Sequence, residues 1–124
     1  MPSVVHFDIP ADDTKRAKKF YSDLFGWKFE KYPGPMDFYL ISTENLDGTA
    51  GVGGGLGKRF DPSHQGIRNY VGVKSIDTAM KQVTSLGGKL VSEKMAVPGT
   101  GYLVNCEDTE GNPFGLWEEN AKAK

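Results

Sequence analysis

One pattern occurs twice in this chain, and it constrains the fold more than any other feature. Residues 4–9 alternate as a half-buried strand does, with Val5, Phe7 and Ile9 on one face and Val4, His6 and Asp8 on the other. Pro10 is expected to end that strand, because it cannot donate to a ladder, and Asp12 or Asp13 to cap a helix. Ala17, Phe20, Tyr21 and Leu24 then recur at helical spacing as one apolar stripe, while Lys15, Arg16, Lys18 and Lys19 point away. Gly26 supplies the left-handed residue that closes the helix, and residues 27–31 read as a second strand. Aligning residue n with residue n+62 pairs Val5 with Ile67, Ile9 with Val71, Ala17 with Ala79, Leu24 with Leu86 and Gly26 with Gly88. A slip of one residue further on pairs Tyr39-Leu40-Ile41 with Tyr102-Leu103-Val104. Identity is low but the order of elements is shared, which is how an internal duplication reads.

The remaining elements follow from the same alternation. In the first half, residues 38–42 form a strand, and the glycine-rich stretch 49–58 is strand-like by position. A polar connection over residues 58–66 leads to the second copy. There, residues 67–73 form a strand, with Ile67, Asn69, Val71 and Val73 on one face and Arg68, Tyr70 and Gly72 on the other. Ser75 caps a helix whose stripe is Ile76, Ala79, Met80, Val83 and Leu86, stopped by Gly87-Gly88. Residues 89–92, 102–106 and 114–118 are strands, separated by turns at 97–99 and 108–112. Residues 121–124 are expected to fray. The reading is two strand–helix–strand–strand–strand modules in one α+β domain over residues 1–124, module one about 1–58 and module two about 67–120.

Composition excludes several functions. A net charge of -1 leaves no electrostatic footprint for nucleic acid or an anionic membrane. Cys106 is the only cysteine, so disulfides and paired-cysteine zinc sites are absent. No apolar run is long enough to span a bilayer, and no signal peptide is legible, which points to a soluble cytoplasmic protein. The glycines between 51 and 57 invite a phosphate-loop reading that fails on inspection. A Walker A loop ending at Gly57-Lys58 would need glycine at Val52 and Ser or Thr at Arg59, and a dinucleotide fingerprint from Gly51 would need glycine at Leu56. Close approach is the remaining explanation: a glycine-rich strand leaves room in the cavity or lets another backbone pack against it.

Several motifs together resemble the vicinal-oxygen-chelate superfamily, which includes glyoxalase I, the bleomycin-resistance proteins and the extradiol dioxygenases. They are His6-Phe7-Asp8-Ile9-Pro10-Ala11-Asp12-Asp13, Lys18-Lys19-Phe20-Tyr21, Leu24-Phe25-Gly26-Trp27, Leu86-Gly87-Gly88-Lys89 and Asp108-Thr109-Glu110-Gly111-Asn112-Pro113-Phe114. The resemblance runs over nearly the whole chain and is closest to the small proteins related to lactoylglutathione lyase. It implies two βαβββ modules whose mixed sheets curl around a cavity, with the helices outside. Val5, Phe7 and Ile9 then pack beneath the helix, while Val4, His6, Asp8, Arg68, Tyr70, Gly115 and Trp117 face inward.

Metal-dependent members of that superfamily place one ligand on each of four strands. Here the four positions fall on His6, on Val52 or Gly53, on Arg68 and on Gly115, so only His6 is an ordinary ligand. Three functional readings follow. The first is a protein that binds a small, partly apolar, anionic molecule between its modules without metal or other cofactor, through His6, Asp8, Arg68, Tyr70 and Trp117. The second is a metal-dependent lyase, isomerase or dioxygenase with His6 as ligand and catalytic candidate, or with a different site recruiting His64 or Glu119. The third is a non-catalytic interaction protein, and a homodimer is expected under all three. Tyr39 and Tyr102 are further candidates for an aromatic pocket wall. Cys106 reads as a buried apolar residue.

Overall fold

The computed structural model describes residues 1–59 and 66–124. The fold is α+β, with two helices and nine strands among the described residues: β1 (Val4–Ala11), α1 (Thr14–Phe25), β2 (Lys28–Lys31), β3 (Phe38–Ser42), β4 (Gly53–Lys58), β5 (Arg68–Gly72), α2 (Ile76–Ser85), β6 (Lys89–Leu90), β7 (Met95–Val97), β8 (Gly101–Glu107) and β9 (Pro113–Glu119). Contacts divide the chain into two compact units, residues 6–67 and residues 1–5 with 68–124.

In the first unit the strand order is β2-β3-β4-β1, antiparallel except for the parallel β1–β4 pair. Ile9, Ala11, Tyr39, Ile41 and Leu56 form its core, with Phe7, Ala17, Tyr21, Trp27 and Phe29 packed against it. Asp13 caps α1 by accepting from the Arg16 N–H at 3.0 Å, and Gly26, at φ 74°, closes it. Thr14, the first helical residue, is buried, and its hydroxyl reaches both oxygens of the Asp37 carboxylate at 2.9 Å. Tyr21 stacks on Trp27 with ring centroids 5.2 Å apart, and Phe7 approaches the same indole at 5.7 Å.

Three expectations need correcting here. Pro10 does not end β1, which runs on to Ala11 with Pro10 opposite Gly57. Ala11 accepts from the Arg59 N–H at 2.9 Å, so in this parallel ladder residues 9 and 11 turn their polar backbone groups to β4 and residue 10 turns away. The missing N–H of Pro10 therefore costs the β1–β4 pairing nothing. Phe20 and Leu24 are each 58% exposed, because the buried face of α1 is centred on Ala17 and Tyr21. Val5 is likewise not under α1; it is 42% exposed and lies against Gly72.

The second unit repeats the order as β6-β8-β9-β5, with β5–β9 parallel and β7 added alongside β8. Ile76, Val104, Cys106 and Leu116 are buried beneath α2, joined by Val73, Ala79, Met80 and Val83. Ser75 caps α2, and Glu118 of β9 adds an acceptor for the Ile76 N–H at 2.9 Å. The Asp108 carboxylate accepts from the N–H groups of Glu110 and Asn112 at 2.8 and 2.9 Å, fixing the turn that aims β9. Those bonds hold its pKa below the usual carboxylate value.

This unit also departs from expectation. Leu86 is 76% exposed at the α2 C-cap, and Ile67 is 52% exposed, so neither belongs to the core. The strand expected over residues 89–92 is regular only at Lys89 and Leu90, with Val91 still donating to the Asn105 carbonyl at 2.8 Å, and a further strand, β7, precedes the turn at Gly99. The tail does not fray: Ala123 is 4% exposed, and its carbonyl accepts from the Gly99 N–H at 2.9 Å. A small side chain and one backbone bond suffice to dock it.

Candidate functional site

Each helix covers one face of its sheet, and His6, Asp8, Tyr70 and Trp117 lie on the other. In module one, β1 and β4 place His6 opposite Gly53 and Asp8 opposite Gly55. The half-buried His6 and Asp8 side chains meet, Nε2 to Oδ1, at 2.7 Å. Two residues apart on a strand, they share a face and brace each other.

The glycines of β4 have different reasons on its two faces. Gly54 faces the helix side, where a Cβ would strike the Phe7 ring and backbone. On the opposite face, a Cβ at Gly55 would collide with the Phe38 ring and the Asp8 carboxylate, and one at Gly57 with Phe38 again. Close approach is thus the right explanation for this stretch, and much of the room is taken by Phe38. Gly53 differs: the nearest atom to an added Cβ is the Ile41 carbonyl oxygen at 3.4 Å. Among the described residues, Gly53 is therefore the least crowded glycine of this floor.

In module two, the register places Tyr70 opposite Gly115, Gly115 opposite Asn105, and Trp117 opposite both Gly72 and Leu103. The buried Tyr70 ring lies directly over Gly115, and its hydroxyl donates to the Asn105 Oδ1 at 3.0 Å. Trp117 lies over Gly101, where a Cβ would come within 2.6 Å of the indole. Arg68 starts β5 with its Nε buried. Its charge favours the Cys106 thiolate, but burial dominates and pushes the Cys106 pKa up to about 11. Cys106 is an inert core thiol.

The structure therefore groups His6 with Asp8, and Tyr70 and Trp117 on the corresponding face of module two. Tyr39 and Tyr102 do not line these faces. Both pack on the helix side, where Lys18 and Lys94 lie 4.9 Å from their respective ring centroids. Glu119 ends β9 opposite Gly101, and His64 lies outside the described residues. Sequence reasoning missed Phe38 and Asn105; their one signal was parity, since each pairs across a ladder with a glycine. A separate depression of about 410 Å³ lies on the helix side of module one, lined by residues including Asp13, Arg16, Phe20 and Arg59.

Residues 3–44 match the family model described as bleomycin resistance protein-like N-terminal. A glyoxylase-like domain-containing protein of Didymella fabae is 32% identical over 112 residues, covering 88% of each chain. This chain belongs to the glyoxalase/bleomycin-resistance family. A Mycobacterium bovis protein provisionally named glyoxylase CFP32 is 27% identical over 117 residues, which make up 91% of this chain and 44% of that relative, so the chain spans less than half of it. Among solved structures, a glyoxalase/bleomycin resistance protein/dioxygenase superfamily member from Vibrio splendidus has a TM-score of 0.67 at 20% identity, covering 96% of this chain and all of that one (100%). A methylmalonyl-CoA epimerase in complex with methylmalonyl-CoA has a TM-score of 0.73 at 15% identity, over 100% of this chain and 99% of that one. At such identities these neighbours share the glyoxalase-like fold, and the fold hosts many chemistries.

The donor set does not fit the family's metal. Of the four ligand positions, His6 alone is an ordinary donor, Val52 or Gly53 and Gly115 offer no donor side chain, and Arg68 is a cation. Position 115 is closed sterically as well, by the Tyr70 ring. Among the described residues, no three His, Cys, Asp or Glu side chains converge.

Proposed function

We propose that this glyoxalase-like protein binds a small, partly apolar molecule without a metal, on the sheet face opposite α1, where His6 and Asp8 stand beside the glycine floor of β4. The observation that carries the reading is the 2.7 Å His6–Asp8 bond beside the side-chain-free positions of β4. The bond orients the imidazole, and Phe38 and Leu40 offer apolar surface on the same face. Arg68, Tyr70 and Trp117 are module two's own set, in which the guanidinium suits an anionic group. No chemical step is assigned to His6: a histidine–carboxylate pair can bind as readily as it can move a proton.

The test is a thermal-shift screen of metal-depleted protein against a metabolite library. A ligand that stabilises wild type and fails to stabilise His6→Ala is expected. Stabilisation that His6→Ala and Asp8→Asn leave unchanged, or one equivalent of tightly held metal lost in His6→Ala, overturns the reading.

Pairing of two copies belongs to the same proposal. Phe20, Leu24 and Phe25 expose apolar surface on α1 that such pairing would cover. Light scattering that gives a monomer mass at millimolar concentration overturns this part.

A further inference from the structure

We infer that Tyr70, laid across Gly115 onto Asn105, is a built-in closure of the position where metal-dependent relatives carry a ligand, so that module two has exchanged a coordination site for an aromatic surface. The inference rests on the metal-free reading above and names the device that enforces it.

The geometry is specific. Tyr70 is on β5 and Asn105 on β8, and β9 runs between them. Adjacent strands are about 4.8 Å apart, so a side chain reaching from β5 toward β8 must lie flat over β9 rather than stand upright. It crosses β9 at Gly115, the residue paired with both Tyr70 and Asn105. Any Cβ there would enter the ring. The hydroxyl of Tyr70 then donates to the Asn105 side chain at 3.0 Å. The ring, the glycine and the amide thus depend on one another, and a carboxylate at 115 is incompatible with the other two. In module one, among the described residues, no side chain comes within 4 Å of an added Cβ at Gly53, the residue opposite His6.

The experiment is a double-mutant cycle on the full chain, read by thermal unfolding, with isothermal titration of Ni²⁺, Zn²⁺ and Mn²⁺ into wild type. Gly115→Ala is expected to lower Tm by roughly 5 °C or more in wild type, and by much less in Tyr70→Ala, where the ring is gone. Wild type is expected to take up no stoichiometric metal. Equal Tm losses in the two backgrounds overturn the inference, as does uptake of one equivalent of any of the three ions. Should Gly115→Ala not fold alone, its recovery in the Tyr70→Ala background is the same coupling; failure in both overturns it. The outcomes are separable from the ligand screen. A protein with no ligand and no metal but intact Tyr70–Gly115 coupling keeps the closure and loses the binding reading, and one that binds a ligand without metal but shows equal Tm losses in the two backgrounds keeps binding and loses the closure.

Discussion

At the residue scale, glycine has three uses in this chain, and only one is conformational. Gly26 and Gly87, at φ 74° and 94°, end helices in a region that L side chains avoid. Gly54, Gly55, Gly57, Gly101 and Gly115 have ordinary backbones and are glycine because another side chain, and at Gly54 and Gly101 also a backbone carbonyl, lies on them. Gly53 is the third kind: among the described residues, only the Ile41 carbonyl oxygen, at 3.4 Å, approaches an added Cβ. Gly26→Ala should therefore cost about 1 kcal/mol through backbone strain, measurable by urea denaturation, whereas Gly53→Ala should cost less than Gly55→Ala in the same assay. Cys106 makes a second residue-scale prediction. Its thiol titrates ordinarily at 9.0 and in the folded chain at about 11. Between those values the unfolded chain has released a proton that the folded chain keeps, so this group's contribution to stability is complete below pH 9 and falls as pH rises toward 11. Unfolding free energies measured across that window should show a downward slope that Cys106→Ala reduces.

At the element scale, helix stripes were legible from spacing but their ends were not. Periodicity placed Leu86 and Phe20 with the core, since a residue at i+3 or i+7 is indistinguishable in sequence from its buried neighbours. The structure exposes both, Leu86 because it stands at the C-cap beyond the last turn of α2 and Phe20 because the buried face of α1 is centred on Ala17 and Tyr21. The anchored end in both modules is the first turn, at Thr14 and Ile76, where an acidic side chain from later in the chain, Asp37 or Glu118, takes up a donor. Ile76→Ala should accordingly destabilise by about 2–5 kcal/mol, while Leu86→Ser should stay within about 0.5 kcal/mol. Comparable losses for the two would mean that α2 is seated differently. Strand β7 was missed for a related reason: three residues between turn signals carry too short an alternation to register.

At the scale of the whole molecule, the duplication is visible both as a sequence offset and as two copies of one strand order, with β7 and the docked tail as the departures. The first five residues belong with the second unit, where the Ser3 carbonyl accepts from the Gly72 N–H at 2.9 Å. The last residues are equally tied, through Ala123 and Gly99. Truncation after Asn120 should cost about 1 kcal/mol, the worth of one backbone hydrogen bond whose remaining donor is re-exposed, and should speed amide exchange at Gly99 in preference to sites in module one.

What the sequence determined by itself was the arrangement of elements and the side of each strand on which a residue falls. Alternation with period two and stripes with period 3.6 are local, and so they placed His6 and Asp8 on the face away from the helix, while the motif resemblance implied the family and the inward side of Tyr70 and Trp117. What only the tertiary structure decided was which of those residues meet, and what fills the space between them. Tyr70 reaching Asn105 across Gly115, and Phe38 covering Gly55 and Gly57, join residues from different strands whose pairing register no local pattern records. A glycine in a sequence states that a side chain is absent; only the packed neighbour states why.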